Sequence, residues 1–247
     1  MIEVEGLVRR LGKTLVLDEL SFTARSGEIT GFLGPNGAGK TTTMRVLSTL
    51  LAPHGGRVAI AGFDLNSHPH EVRRRLGLVT EEAGLLDRLT VREQLTFWGR
   101  AHGLDDNTLT ERVSMLQDLL ELGGFMDERT GRLSKGTRQK AAVARALVHD
   151  PPVLLLDEPT ANLDVVSTSA ILGLLSEPQV RSGKTVLLAT HRLEEAAAYA
   201  DRVVGIARGR TVVSGTPEEI ARQAGTERFE EGFLRLIGRV EMSKEAG

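Results

Sequence analysis

Gly34-Pro35-Asn36-Gly37-Ala38-Gly39-Lys40-Thr41 is a glycine, four free positions, then glycine, lysine and a hydroxyl residue, the pattern of a phosphate-binding loop. Its surroundings decide the fold. Upstream, Ile29-Thr30-Gly31-Phe32-Leu33 is a compact apolar run suited to a buried strand; downstream, Thr42 to Leu51 has helical spacing. In a strand–loop–helix unit, glycines without a Cβ let backbone N–H groups turn inward around phosphate oxygens, and the helix N-terminus adds its positive dipole end. A chance glycine-rich turn would lack both flanks. The loop from Gly34 through Thr42 is therefore expected to hold a nucleotide, with Lys40 reaching the β- and γ-phosphates and the Thr41 hydroxyl ligating Mg²⁺.

A second strand-like run, Val153-Leu154-Leu155-Leu156, ends in Asp157 and Glu158, which places two carboxylates at a strand's carboxyl end, where open α/β sheets bind ligands. Asp157 is expected to hold Mg²⁺ through water, as a Walker B acid does. Glu158 is expected to orient or deprotonate the attacking water. Two solvated acids at a strand end are the plainer alternative.

Outward from these motifs, the segment before Ala24 reads as short strands and turns, with Leu15-Val16-Leu17 and Leu20-Ser21-Phe22 as apolar runs. From Leu85 to Ala146 the spacing becomes helical, with Val91, Leu95 and Trp98 on one face and Leu109, Val113, Leu116 and Leu120 on another. Strand-like Val186-Leu187-Leu188-Ala189 follows, and the alternation of strands and helices predicts a mainly parallel sheet covered on both faces. Val203 to Ile206 and Thr211 to Val213 flank Arg208-Gly209-Arg210 as a closing hairpin. The tail from Pro217 is helical, with Phe229, Phe233, Leu236, Ile237 and Val240 on one face, suited to packing on the core or to docking a partner.

The 247 residues are 40% apolar and 26% charged, ordinary globular usage that excludes wholesale disorder. The formal net charge of −2 argues against a nucleic-acid binder that relies on bulk positive charge. With no cysteine, disulfides, thiolate metal sites and cysteine nucleophiles are excluded, and the cytoplasm is the default compartment. The acidic N-terminus is not expected to be a secretory signal, and no apolar run approaches the roughly 18 residues that would span a bilayer.

Between the two phosphate-site motifs stands Leu133-Ser134-Lys135-Gly136-Thr137-Arg138-Gln139-Lys140, followed by the alanine-rich stretch to Leu147. This resembles the signature motif of the ABC transporter ATPases. Pro159-Thr160-Ala161-Asn162-Leu163-Asp164 resembles their D-loop, and Thr190-His191 resembles their switch histidine. The order of motifs matches that family across residues 2 to 215. The resemblance implies one ABC ATPase domain: residues 1–84 and 147–215 as the nucleotide-binding core with an N-terminal antiparallel β subdomain, 85–146 as an inserted helical lobe, and 216–247 as a C-terminal extension. It implies that two chains, identical or related, sandwich two ATP molecules. Ser134 and Gly136 would then address the γ-phosphate held by the opposite subunit, Asp164 would link the two sites, and His191 would contact the γ-phosphate in its own chain. Taken singly, Ser134 is equally a helix cap and His191 a surface polar group.

Glu81, in Leu78-Val79-Thr80-Glu81-Glu82, stands where the family usually has the Q-loop glutamine. A carboxylate can still accept from Mg²⁺-bound water but cannot donate while ionised. Lys135 and Thr137 replace a glycine and a glutamine of the commonest signature, and Asn162 replaces the D-loop glycine. Leu11 stands where an aromatic ring usually stacks on adenine, and loss of such stacking, worth about 1–3 kcal/mol per base, predicts weak base selectivity. Gly-Leu-Leu-Asp-Arg-Leu-Thr at 84–90 and Glu-Glu-Gly-Phe-Leu-Arg-Leu at 230–236 are similar to the sodium-export and drug-export branch. The resemblance thus implies the ATPase subunit of an exporter, peripheral on the inner face of the cell membrane, whose Glu81–Arg92 and Asp127–Arg132 stretches face a separate membrane-spanning chain. Two alternatives stay open: a non-transport ABC ATPase acting on ribosomes or DNA, which would usually show tandem cassettes or a basic surface, and a small-molecule kinase, which would need no signature helix.

Overall fold

The structure, a computed structural model, describes residues 1–242. The Val240 side chain and residues 243–247 of the expected extension lie outside the described set. β1 (Ile2–Leu11) and β2 (Thr14–Ala24) form an antiparallel hairpin. β3 (Ile29–Leu33) leads through the glycine loop into α1 (Lys40–Leu47). β4 (Gly55–Ile60), β5 (Phe63–Asp64), α2 (Pro69–Arg74) and β6 (Leu76–Val79) follow, then α3 (Val91–Ala101), α4 (Asp106–Leu119) and, after two single 3₁₀ turns, α5 (Lys135–Leu147). Next come β7 (Val153–Asp157), α6 (Val165–Gly173), α7 (Pro178–Arg181), β8 (Thr185–Thr190) and α8 (Leu193–Tyr199). β9 (Arg202–Ala207), β10 (Arg210–Gly215), α9 (Pro217–Ala224) and α10 (Phe229–Met242) complete the described chain.

The strands form two sheets. Four make an antiparallel sheet in the order β2-β1-β4-β5, and six make a sheet in the order β10-β9-β3-β8-β7-β6. In the larger sheet all neighbours are parallel except β10, which pairs antiparallel with β9 through the turn at Arg208 and Gly209, both at positive φ. The fold is α/β, mainly parallel in its large sheet, with an antiparallel β subdomain and the helices α3–α5 inserted between β6 and β7.

The apolar runs explain this arrangement. Every residue of β3, β7 and β8 is buried, as a parallel sheet covered on both faces requires. Within β7, Leu154 and Leu156 face a core shared with α3, α4 and α5, whereas Val153 and Leu155 face a core shared with α1 and the small sheet. This period of two distributes one run of leucines between two layers. In the lobe, α3 starts at a capping box, Thr90 with Glu93, and presents Val91 and Leu95 to the core; α4 starts at Asp105 and presents Leu109, Val113 and Leu116.

Two local expectations are corrected. The runs Leu15–Leu17 and Leu20–Phe22 belong to one strand, not two, and the pairing of β1 with β2 absorbs register shifts where Gly6 and Glu19 take positive φ. Such bulges break the alternation on which the sequence pattern depends. The helix after the loop ends at Leu47 rather than Leu51, because Thr49 turns left-handed (φ 62°) and the Leu50 and Leu51 N–H groups bond back to the Arg45 carbonyl at 2.9 and 3.0 Å. The C-terminal apolar face is occupied by the chain's own core: Phe229, Phe233 and Ile237 are buried with Leu33, Val203 and Val213.

Candidate active site

The loop between β3 and α1 needs its glycines for two different reasons. Gly37 and Gly39 have φ of 81° and 109°, left-handed conformations that favour glycine. Gly34 is constrained by space instead: a Cβ there would land on the Ile206 carbonyl oxygen of β9. Gly39 is the residue that caps α1 and brings no side chain to it, so the first-turn N–H groups of that helix have no side-chain cap.

Lys40, only 6% exposed, lies folded over the loop, its Nζ donating to the Gly34 and Pro35 carbonyls at 2.7 and 3.3 Å. The ammonium is 3.6 Å from Glu158 Oε1. The neighbouring Thr41 hydroxyl donates to Asp157 Oδ1 at 3.4 Å. Burial pushes the Asp157 carboxyl above its ordinary value; the Thr41 hydrogen bond opposes this and the charge of Glu158 adds to it. Glu158 itself is left-handed, φ 50°, with its N–H bonded to the Ala189 carbonyl of β8. Its second oxygen, Oε2, is 2.9 Å from His191 Nδ1. β3, β8 and β7 are adjacent and parallel, so their carboxyl ends deliver the loop, His191 and the acid pair to one edge of the sheet.

Glu81 follows β6 at that same edge and accepts from Asn162 Nδ2 at 3.3 Å. Asn162 has φ 58°, and asparagine is among the few non-glycine residues that adopt this form readily. The backbone that a glycine would serve is thus retained, with an amide added that reaches Glu81.

These residues line a cleft of about 500 Å³: Asn36, Gly37, Gly39, Lys40, Thr41, Thr42, Glu81, Glu158 and His191, joined by Thr160 to Leu163, Arg192 and Val16. Asp157 lines an adjoining recess that shares Thr41, Glu81 and Glu158 with this cleft, and is bonded to Thr41. Ser134, Gly136 and Asp164 do not line this cleft. They form a second group, in which Ser134 caps α5 through the Thr137 N–H (3.2 Å) and Asp164 caps α6 through the Ser167 N–H (2.9 Å). A Cβ on Gly136 would land on the Ser167 hydroxyl, which is bonded to Asp164 at 2.8 Å; the glycine is what lets α5 and α6 approach. Gln139, buried on α5, ties this helix to the Thr80 carbonyl at 3.1 Å, next to Glu81.

Six lining residues were not among the expected site residues: Val16, Thr160, Ala161, Asn162, Leu163 and Arg192. Thr160 to Leu163 figure in the sequence only as part of the D-loop resemblance, and Arg192 adjoins His191 in the chain, an available signal. Val16 had none, because only the hairpin register turns it toward the loop. Leu11 is 42% exposed at the hairpin end, and the cleft lining contains no phenyl, phenol or indole ring.

A glycine loop between strand and helix, with an acid pair and a histidine at neighbouring strand ends, makes this chain a P-loop nucleoside triphosphatase. The helix group of Ser134, Gly136 and Asp164 narrows the class further. The chain belongs to the ABC transporter family, whose model matches residues 17–161. It is 38% identical over 222 residues to the ABC transporter ATP-binding protein NatA of Bacillus subtilis, covering 90% of each chain. It is 40% identical over 220 residues to the Nod factor export ATP-binding protein I of Ralstonia nicotianae, covering 89% of this chain and 68% of that protein. Among solved structures, it is similar to a dimeric ATP-binding cassette in a post-hydrolysis state bound to ADP and Pi, with a TM-score of 0.76, 26% identity, and coverage of 87% of this chain and 98% of that one. The chain is an ATP-binding cassette and an ATPase.

Proposed function

We propose that this chain is the ATPase subunit of an exporter, working on the inner face of the cell membrane as a pair of cassettes that close on ATP and drive a separate membrane-spanning chain. The observation that carries this is the division of the functional residues. The loop, Glu158 and His191 converge on one cleft, with Asp157 beside it against Thr41, whereas Ser134, Gly136 and Asp164 stand outside it; on this reading the second group addresses the nucleotide of a second cassette. The dimeric relative and the export function named for the Ralstonia protein support the same reading. No helix among the described residues is long and apolar enough to cross a membrane, and the transport path, on this reading, belongs to the partner. Residues 1–84 and 147–215 act as the core, 85–146 as the lobe that faces the partner, and 216–247 as an extension.

On binding, the triphosphate takes over the N–H groups of the loop, and Lys40 exchanges the Gly34 and Pro35 carbonyls for the β- and γ-phosphates. Mg²⁺ fits the residues present. Thr41 and a buried Asp157 with a single hydroxyl partner face each other, Glu81 lines the same recess, and among the described residues no all-protein metal cage exists; Mg²⁺ characteristically takes one or two protein oxygens together with substrate phosphates and water. When bound, it would neutralise charge on the β- and γ-phosphate oxygens. Glu158, freed from Lys40, orients the attacking water and accepts its proton as the bond from the γ-phosphorus to the bridging oxygen breaks, leaving ADP and phosphate. His191 holds the other oxygen of Glu158 and reaches the γ-phosphate.

Glu158→Gln keeps the loop and Lys40 intact and removes the base. It is expected to bind ATP with near-native affinity, to lose most turnover and to accumulate an ATP-bound dimer in size-exclusion chromatography; normal turnover would refute the assignment. Gentle purification from solubilised membranes is expected to bring down a multi-span protein, and recovery of ribosomes or DNA-associated proteins alone would refute the transport role.

A further inference from the structure

Glu195 is a carboxylate on α8, only 5% exposed, that does not line the cleft. Its oxygens gather three partners from two segments. Oε1 accepts the Thr160 hydroxyl at 2.8 Å and pairs with Arg192 Nη1 at 2.7 Å; Oε2 accepts the Thr190 hydroxyl at 3.1 Å. The Thr190 oxygen, its proton directed to the carboxylate, accepts the Arg192 N–H at 3.0 Å. Thr160 stands two residues after Glu158, and Thr190 and Arg192 bracket His191. One buried carboxylate therefore ties together the two stretches of backbone that carry the Glu158–His191 pair.

Core packing alone does not call for this arrangement. Burying a carboxylate costs several kcal/mol before its partners offset it, and an apolar side chain of similar size would fill the same space. Glu158 supplies the reason. Its φ of 50° is a conformation that a non-glycine residue keeps only where its surroundings over-determine it. On one side the Glu158 N–H is held by Ala189 of β8; on the other, the Thr160–Glu195 bond anchors the chain as it leaves the acid. Lys40 and Thr41, on α1, share no hydrogen bond with Glu195, Thr160, Thr190 or Arg192; of the Glu158–His191 pair, Lys40 meets only Glu158, at 3.6 Å.

We propose that Glu195 is a positioning residue for hydrolysis, setting the geometry of the Glu158–His191 pair by clamping Thr160 to Thr190; this rests on the catalytic roles proposed above for that pair. Loss of the clamp shifts the water-orienting group while leaving the phosphate loop in place. It therefore lowers kcat and spares nucleotide binding.

The test is steady-state ATP hydrolysis with parallel equilibrium ATP binding for the full chain and its Glu195→Gln and Thr160→Val variants, with Glu158→Gln alongside. Glutamine removes the charge that pairs with Arg192 and turns one acceptor oxygen into an NH₂ donor, so a threonine facing that group must reverse its hydroxyl and the charge-assisted strength of the clamp is lost. Thr160 lines the cleft, but it is only 2% exposed and its hydroxyl is directed to Glu195; Thr160→Val removes that single bond while keeping a branched side chain, and it carries the test should Glu195→Gln fold poorly. The expected result is a kcat lowered about tenfold to a hundredfold in both variants, the scale of a sub-ångström to ångström misplacement, with KM and Kd for ATP within about twofold of the parent. The double variant should lose less than the product of the two single losses, because both act through one network. Unchanged kcat in both variants, beside an inactive Glu158→Gln, would overturn the positioning role alone. Parallel losses of kcat and ATP affinity would overturn it in favour of general scaffolding. Normal turnover in Glu158→Gln would overturn the catalytic assignment itself and the clamp's role with it.

Discussion

Alanine at position 136 would set a methyl group on the Ser167 hydroxyl and 3.0 Å from Ser167 Cβ, closer than unbonded carbons rest. Something must give. If Ser167 rotates, its 2.8 Å bond to Asp164 is lost, and hydrogen bonds to charged groups are worth about 1.5–3 kcal/mol, with this exposed pair at the lower end. If α5 and α6 separate instead, overpacking of this kind costs about 1–3 kcal/mol. Against either stands a gain of up to about 1 kcal/mol from replacing glycine inside a helix. The net is a loss of about 1 kcal/mol, which lowers Tm by about 2–4 °C in a chain of this size. Turnover should fall far more than stability, because the change moves Ser134 and the N-terminus of α5 relative to Asp164. Thermal unfolding and ATP hydrolysis would be measured for Gly136→Ala, Ser167→Ala and the double variant. Removing the hydroxyl leaves only the Cβ contact, so the double variant should recover stability relative to Gly136→Ala, with a coupling of at least about 0.5 kcal/mol. A Gly136→Ala protein with parental Tm and parental turnover, or effects that simply add, would refute the close-approach account.

Burial raises the Asp157 carboxyl above its unfolded value, so the folded state holds the extra proton in the window just above the ordinary carboxylate range, and stability falls as pH rises through that window. Asp157→Asn should therefore raise the Tm of the nucleotide-free protein at pH 7, with the difference shrinking in acid, while the stabilisation conferred by MgATP diminishes; a lower Tm at neutral pH would contradict this. His149, its ring stacked 3.7 Å from that of His102, is held down to about 4 from 6.5 by burial and then by the His102 charge. Here the folded state binds fewer protons, so stability falls as pH drops from 6.5 toward about 4, by up to about 3 kcal/mol; His149→Phe should flatten this acid limb in urea titrations at stepped pH. With no aromatic ring in the cleft lining besides the His191 imidazole, ATP and GTP should show similar kcat/KM, and a strong ATP preference would show that another group reads the base.

The glycine loop, the acid pair, the signature stretch and the histidine were all legible in the chain because each is a contiguous string tied to a strand end or a helix start. The alternation of Leu154 and Leu156 with Val153 and Leu155 was legible as a buried run, but not as two separate cores, since assigning faces requires knowing what covers each. Likewise Leu15–Phe22 read as broken strands because the bulges opposite Gly6 and Glu19 erase the period-two signal. Glu195 was silent for a related reason: a glutamate on an acidic helix start looks solvated until Thr160 and Thr190 are brought to it from 35 and 5 residues away.

Local patterns, then, were written in the order of the residues: the glycine loop, the acid pair, and which strands are buried on both faces. Distances between segments were not. That Asn162 reaches Glu81, that Gly136 lies against Ser167, that Val16 rather than Leu11 lines the cleft, and that Ser134 and Asp164 stand apart from the cleft are consequences of packing. A side chain's partner is set by the mutual placement of two sheets and the inserted helices, a property of the whole core that no single stretch of sequence contains.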